Sequence, residues 1–306
     1  MRQQYIDVLK GITIIWVLWM HMDLPELIYP SVQMPIFFFL SGTFYHAKSP
    51  FREQIINDGY RLLVPTVCFM AIVAILMTLR GDNLWSYNII EVLQTCRNGS
   101  ITWFLICLFC LRTLNYPFEK YRLKWWYLAL ATIVYPIGYY WKVKYPNVVV
   151  PIIPVVEMFM FGIYYVTGYI FGKKVLELAL ADNARNVSCY LLGGAYLLFV
   201  HCMDWESGFL SHIPWLVYGF PYTLSCILLG LVISRLFEKV VLVAKALAYV
   251  GKNSMVFYLT HLLIYMYIFK SFDWNPYLVF SIIVALEFPL IYVITRYLPW
   301  VVGQKK

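Results

Sequence analysis

Charge is what this sequence has little of. Asp, Glu, Lys and Arg together make up 13% of its 306 residues, where a soluble globular chain carries about a quarter. Apolar residues reach 62% and mean hydropathy is +0.69. No water-soluble fold of this length can bury that surplus, so lipid is the expected solvent for much of the chain. Linkers, low-complexity tracts and internal similarity between the halves are also missing. The longest polar interval, 80–100, is too short to fold alone, so one domain over 1–306 is expected. A cleavable signal peptide is not expected either: the first apolar run leads into Pro-containing sequence and a second apolar run, with no small-residue cleavage site between them.

Cysteine is present without a pattern. Cys68, Cys107, Cys110, Cys189 and Cys226 lie within apolar runs, where a small hydrophobe is the ordinary reading. Cys107 and Cys110 have CxxC spacing but no turn around them, which argues against redox or metal work. Cys96 and Cys202 are read as loop residues.

What the chain does have is apolar runs, near 8–24, 31–46, 61–79, 101–117, 125–141, 150–171, 187–202, 213–234, 247–269 and 277–299. They predict an all-α, polytopic membrane bundle of about ten transmembrane helices. Several runs are shorter than the roughly 20 residues that cross a bilayer squarely, so some are expected to be broken or packed inside the bundle. Pro35, Pro65, Pro136, Pro154, Pro221 and Pro289 add expected kinks. Aromatic residues, 26 Tyr and 11 Trp among them, suit headgroup depth.

Charge asymmetry orients the bundle. With both termini in the cytoplasm, 19 of the 24 basic residues fall on the inner side, leaving Arg80, Arg97, Lys142, Lys144 and Lys270 outside. That is the positive-inside pattern, and it places the chain in the inner (cytoplasmic) membrane as a multi-pass protein. It also accounts for the net charge of +8 without nucleic acid, for which no motif is present.

Ionisable groups inside apolar runs are costly and therefore functional candidates. The first run, YIDVLKGITIIWVLWMHM, holds Lys10 and His21 eleven residues apart. At 100° per residue they share a helix face, about 16 Å apart along the axis, with Asp7 about 40° to the other side of His21. An imidazole at depth can take a proton from a hydroxyl near neutral pH. The bland alternative is a packing His beside a snorkelling Lys.

This stretch resembles the opening of the acyltransferase 3 family of membrane acyltransferases, whose hallmark is Arg or Lys, ten residues, then His. The likeness continues in MPIFFFLSGTFY (Met34 to Tyr45), YRLLVP (Tyr60 to Pro65), WFL (Trp103 to Leu105), FMFG (Phe159 to Gly162) and GKNSMVFYLTH (Gly251 to His261), in family order across almost the whole chain. The resemblance implies transfer of an acyl group, often acetyl, from cytoplasmic acetyl-CoA to a carbohydrate or lipid-linked glycan of the cell envelope at the outer face. It makes His21 the catalytic residue and Lys10 its basic partner; Asp7, three residues before Lys10 on the helix, is expected to pair with it. Arg61 and Lys10 are expected to bind the donor. Members commonly carry a basic residue three before the Arg of the YRLLVP-like stretch. Here that position is Asp58, so a helping cation is expected from Arg52, Lys48 or another inner loop.

Ser254, Tyr258 and His261 fall at i, i+4 and i+7, one helical face, and can present donors to the thioester or the sugar. An interhelical hydrogen-bonded set is the alternative. Glu157, mid-run, is the fourth candidate for substrate binding, beside a purely structural role. Ser41 and Gly42 read first as close helix packing. His201, Asp204, Glu206 and His212 match no usual metal-site spacing, so no metal is expected. The rival function is a transporter or flippase of a glycan or small anionic substrate, for which inverted repeats are the sign. A structural subunit of a glycan-assembly complex leaves Lys10 and His21 unexplained. A homo-oligomer is left open.

Overall fold

The computed structural model of the chain describes residues 3–22, 24–25, 32–47, 49–81, 89–99, 102–145, 153–180, 190–199, 215–272 and 274–304. Among these, every regular element is helical: α1 (Gln4–His21), α2 (Gln33–Thr43), α3 (Phe51–Arg80), α4 (Ile89–Gly99), α5 (Trp103–Lys120), α6 (Lys124–Lys144), α7 (Val155–Leu180), α8 (Tyr190–Phe199), α9 (Trp215–Glu238), α10 (Val241–Lys252), α11 (Ser254–Ile264) and α12 (Pro276–Tyr297). A π-helical turn, Tyr265–Phe269, prolongs α11, and a 3-10 turn, Pro299–Val302, follows α12.

Four helices among the described residues are long and apolar enough to cross a membrane: α3, α7, α9 and α12. Their neighbours share the same outward character. Val67, Ile75 and Leu79 on α3, Trp125, Trp126 and Ile133 on α6, and Leu191, Leu192 and Leu198 on α8 are all exposed. In water such patches would associate; against acyl chains they need no cover.

The structure departs from the sequence reading in several places. The run at 61–79 is the apolar part of α3, which begins at Phe51, its first turn holding the good helix formers Arg52, Glu53 and Gln54. The helix stops at Gly81, whose φ of 96° lets its N–H reach back to Met77 and Thr78. The run at 247–269 is two helices, broken between Lys252 and Ser254 at Asn253. Cys96 sits buried in α4 rather than in a loop. Pro154 precedes α7 and its carbonyl accepts from the Met158 N–H, so it starts a helix instead of kinking one. Pro117 lies inside α5. Lys48, Cys189, Cys202, His201, Asp204, Glu206 and His212 lie outside the described residues.

The chain forms two compact units, each assembled from separated segments. The first comprises residues 1–13, 29–44 and 164–252. Its core is Tyr5, Ile6 and Leu9 of α1, Ile36, Phe39 and Leu40 of α2, Leu176 of α7, and Ile227 and Leu231 of α9. Small residues let backbones touch here. A Cβ on Gly168 would strike the Phe39 carbonyl, and one on Gly172 would strike the Thr43 side chain. A Cβ on Gly42 would strike the Tyr165 carbonyl, so α2 and α7 meet through glycines on both sides. Ser41 and Gly42 thus belong to a helix-packing seam. Likewise Gly11 meets Leu247 and Gly251 meets the Asp7 carbonyl, which seats α1 on α10.

The second unit comprises residues 14–28, 45–163 and 253–306. In it α3 packs against α4 and α5, α5 against α6, and α11 against α12. One detail fixes the position of Arg61. Pro65 has no N–H to give the Arg61 carbonyl four residues earlier. Gly303, at φ 68°, lays its backbone against that same carbonyl, leaving no room for a Cβ. The C-terminal turn is thereby seated on α3 at Arg61.

Candidate active site

His21 is the last residue of α1. Its Nδ1 lies 2.7 Å from the Val17 carbonyl, one helical turn back. A carbonyl only accepts, so Nδ1 carries the hydrogen and Nε2 keeps a lone pair. The imidazole of His261 meets that of His21 edge to face, with ring centroids 5.5 Å apart. His261 is fully buried and is held in the same way, Nδ1 to the Phe257 carbonyl at 2.7 Å. Its Nε2 is buried without a hydrogen-bond partner. A buried polar atom left so is costly, and it marks where a donor belongs.

Phe257 and Tyr258 lie against His261, ring centroids 5.8 and 6.3 Å away. Tyr258, buried on α11, packs edge-on against Phe104 with centroids 5.4 Å apart, and its hydroxyl is hydrogen-bonded to the Phe104 backbone. Phe104 lies in the first turn of α5, where backbone N–H groups have no helical partner. Trp103 stacks on Phe161 of α7 at 5.6 Å, and Trp19 of α1 contacts Tyr277 and Phe280 of α12 at 5.9 and 5.2 Å. The stretches WFL, FMFG and GKNSMVFYLTH, far apart in sequence, are therefore joined ring to ring.

The remaining expected residues are spread more widely. Ser254 opens α11, about 10 Å along the axis from His261. Glu157 on α7 is within electrostatic range of Cys107 on α5. Asp7, buried, and Lys10, half-buried, lie on the part of α1 that belongs to the first unit. Arg61 is exposed on α3. Arg52 is exposed too, but nine residues away on the same helix, which turns it to the opposite face.

Two groups escaped the sequence reading. Arg112 on α5 forms a 2.9 Å ion pair with Asp58, and its guanidinium lies over the Tyr45 ring at 5.0 Å. Glu287, fully buried on α12, contacts the Thr260 hydroxyl at 2.8 and 2.9 Å. Both are ionisable residues inside apolar runs, the signal that singled out His21. Among the described residues no group of three or more His, Cys, Asp or Glu is placed to hold a metal ion.

Among the described residues, an all-helical fold with four apolar helices of bilayer length defines a helical membrane protein. A family model described as an acyltransferase domain matches residues 3–303. The chain belongs to the acyltransferase 3 family. No curated protein and no solved structure matches it.

Proposed function

We propose that the chain, as one domain over 1–306, transfers an acyl group, acetyl in the first instance, from cytoplasmic acyl-CoA to a hydroxyl of a cell-surface or lipid-linked carbohydrate. The reading includes ten spans in the inner membrane, both termini in the cytoplasm, and delivery of the acceptor from the outer side. What carries it is the pairing of His21 with the buried, unpartnered Nε2 of His261, in a chain whose family is acyltransferase.

In the proposed reaction the acceptor oxygen attacks the thioester carbonyl carbon while Nε2 of His21 takes the hydroxyl proton. The C–S bond then breaks, and His21 returns that proton to the departing thiolate, giving an ester and free CoA. His261 Nε2 accepts a hydrogen bond from a second hydroxyl of the carbohydrate, beside the reacting one, and so fixes its approach. Tyr258, Ser254 and Glu157 line the reaction chamber and offer hydrogen bonds to the thioester or to the sugar, Ser254 from its cytoplasmic side. Lys10, paired with Asp7, accompanies the pantetheine arm, Arg61 takes a phosphate, and exposed Arg52 draws in the anionic donor. Aromatic walls keep water from the thioester.

The test is release of free thiol from acetyl-CoA by purified protein supplied with a carbohydrate acceptor. Thiol release that depends on protein and acceptor supports the enzyme. Absence of release from protein that nonetheless moves glycan across vesicles supports the transporter instead.

A further inference from the structure

The pairing of Asp58 with Arg112 changes what Arg61 can do. Asp58 and Arg61 stand at i and i+3 on α3 and so face the same way. Arg112 comes to them from α5, its Nη2 2.9 Å from Asp58 Oδ1. The arrangement is built rather than incidental. Asp58 is buried, its other oxygen accepts from Gln54 Nε2 at 3.0 Å, and the Arg112 guanidinium is laid on the Tyr45 ring. Arg61 is within electrostatic range of both Asp58 and Arg112. Asp58 is ion-paired with Arg112, Arg61 lies close by, and the three groups together carry an excess of one positive charge. The exposed member, Arg61, opens that excess to a ligand.

We propose that Arg61 and Arg112 together form a phosphate-binding site, with Asp58 as the residue that positions Arg112. This rests on the acyl-CoA reading above and deepens it, by assigning the nucleotide phosphates of the donor to a pair of cations on α3 and α5. Planar guanidinium groups suit phosphate oxygens, which take two parallel N–H bonds from each. Spacing agrees. Arg112 lies eight residues beyond Phe104 on α5, about 12 Å along the axis. Phe104 touches Tyr258, and Tyr258 neighbours His261. An extended pantetheine arm exceeds that length, so a phosphate at Arg112 leaves the thioester within reach of the imidazoles. Asp58 does not spoil the site: its charge is spent on holding Arg112.

The test is direct binding to the purified full chain, with CoA, dephospho-CoA and pantetheine as ligands, for wild type, Arg112→Gln and Arg61→Gln. Loss of one charge-assisted contact is expected to weaken CoA about tenfold or more, while pantetheine, which has no phosphate, binds all three proteins alike. Dephospho-CoA tells which phosphate is held: if it is weakened as CoA is, the diphosphate sits on the pair, and if it is indifferent, the 3′-phosphate does. CoA binding equal in wild type and both variants overturns the proposal, as does an equal loss for CoA and pantetheine. Should Arg112→Gln fail to fold, Arg61→Gln, which alters an exposed side chain, carries the same comparison. CoA bound through these residues by a protein that transfers no acyl group would contradict the proposed function and leave the phosphate site standing.

Discussion

His21 and His261 face each other edge on, 5.5 Å between ring centroids, each with Nδ1 tied to the carbonyl four residues before it. The two bonds fix the same tautomer on both rings and leave both Nε2 atoms as acceptors. One acceptor suffices to remove a proton. The second, on a fully buried ring, has a use only if a donor comes to it.

His261→Ala is therefore expected to lower kcat without abolishing turnover, by the roughly five- to 150-fold that a lost buried hydrogen bond of about 1–3 kcal/mol implies. His261→Gln, which keeps a polar atom near the Nε2 position, should recover part of the loss. Steady-state kinetics on matched preparations decides this. Wild-type kcat in His261→Ala would make the ring a packing residue.

Asp58 and Arg112 form an ion pair between α3 and α5 that is mostly shielded from solvent. Removing one partner strands the other, at a cost of about 3–5 kcal/mol for a fully buried pair and less where solvent reaches it. Asp58→Ala and Arg112→Ala should each lower the thermal midpoint in detergent. The exchange Asp58→Arg with Arg112→Asp should recover most of it. Additive losses in the double variant would show that the two residues do not interact.

Among the described residues Glu287 has no cation against it; the Thr260 hydroxyl lies at 2.8 and 2.9 Å from its two oxygens. Glu287→Gln preserves shape and hydrogen bonding and is expected to melt close to wild type. Glu287→Ala loses the bond and opens a cavity beside Thr260, so a destabilisation of about 2 kcal/mol or more is expected. Equal melting of the two variants would remove the Thr260 contact from the explanation.

Gly168 brings α7 onto the Phe39 carbonyl of α2. Gly168→Leu has no room without separating the helices, and overpacking of this kind costs about 1–3 kcal/mol or more. Gly194, inside α8 with open space around its Cβ position, is the control: Gly194→Ala should not lower the thermal midpoint and is expected to raise it slightly.

Much of this was legible in the sequence because it is local. The Lys10 to His21 spacing needs only the helical repeat. The one-face relation of Tyr258 and His261 needs no more, and both residues are indeed buried along α11. The family followed from short stretches in order, and the match over residues 3–303 agrees. What could not be read were pairings set by tertiary packing. Asp58 looked like a defect in a basic pattern, because its partner arrives from a helix 54 residues later. Arg112 was counted only as an inner charge, and Glu287 was passed over in an apolar run. The break at Asn253 was hidden because hydropathy continues across it.

Transfer of radiolabelled acetyl from acetyl-CoA to endogenous glycan, in membranes holding wild type or His21→Ala at matched expression, is the decisive measurement. Loss of a general base of this kind costs roughly 10²–10⁴-fold in rate, so label is expected with wild type and background with the variant. Equal label from both would take His21 out of the chemistry and contradict the mechanism.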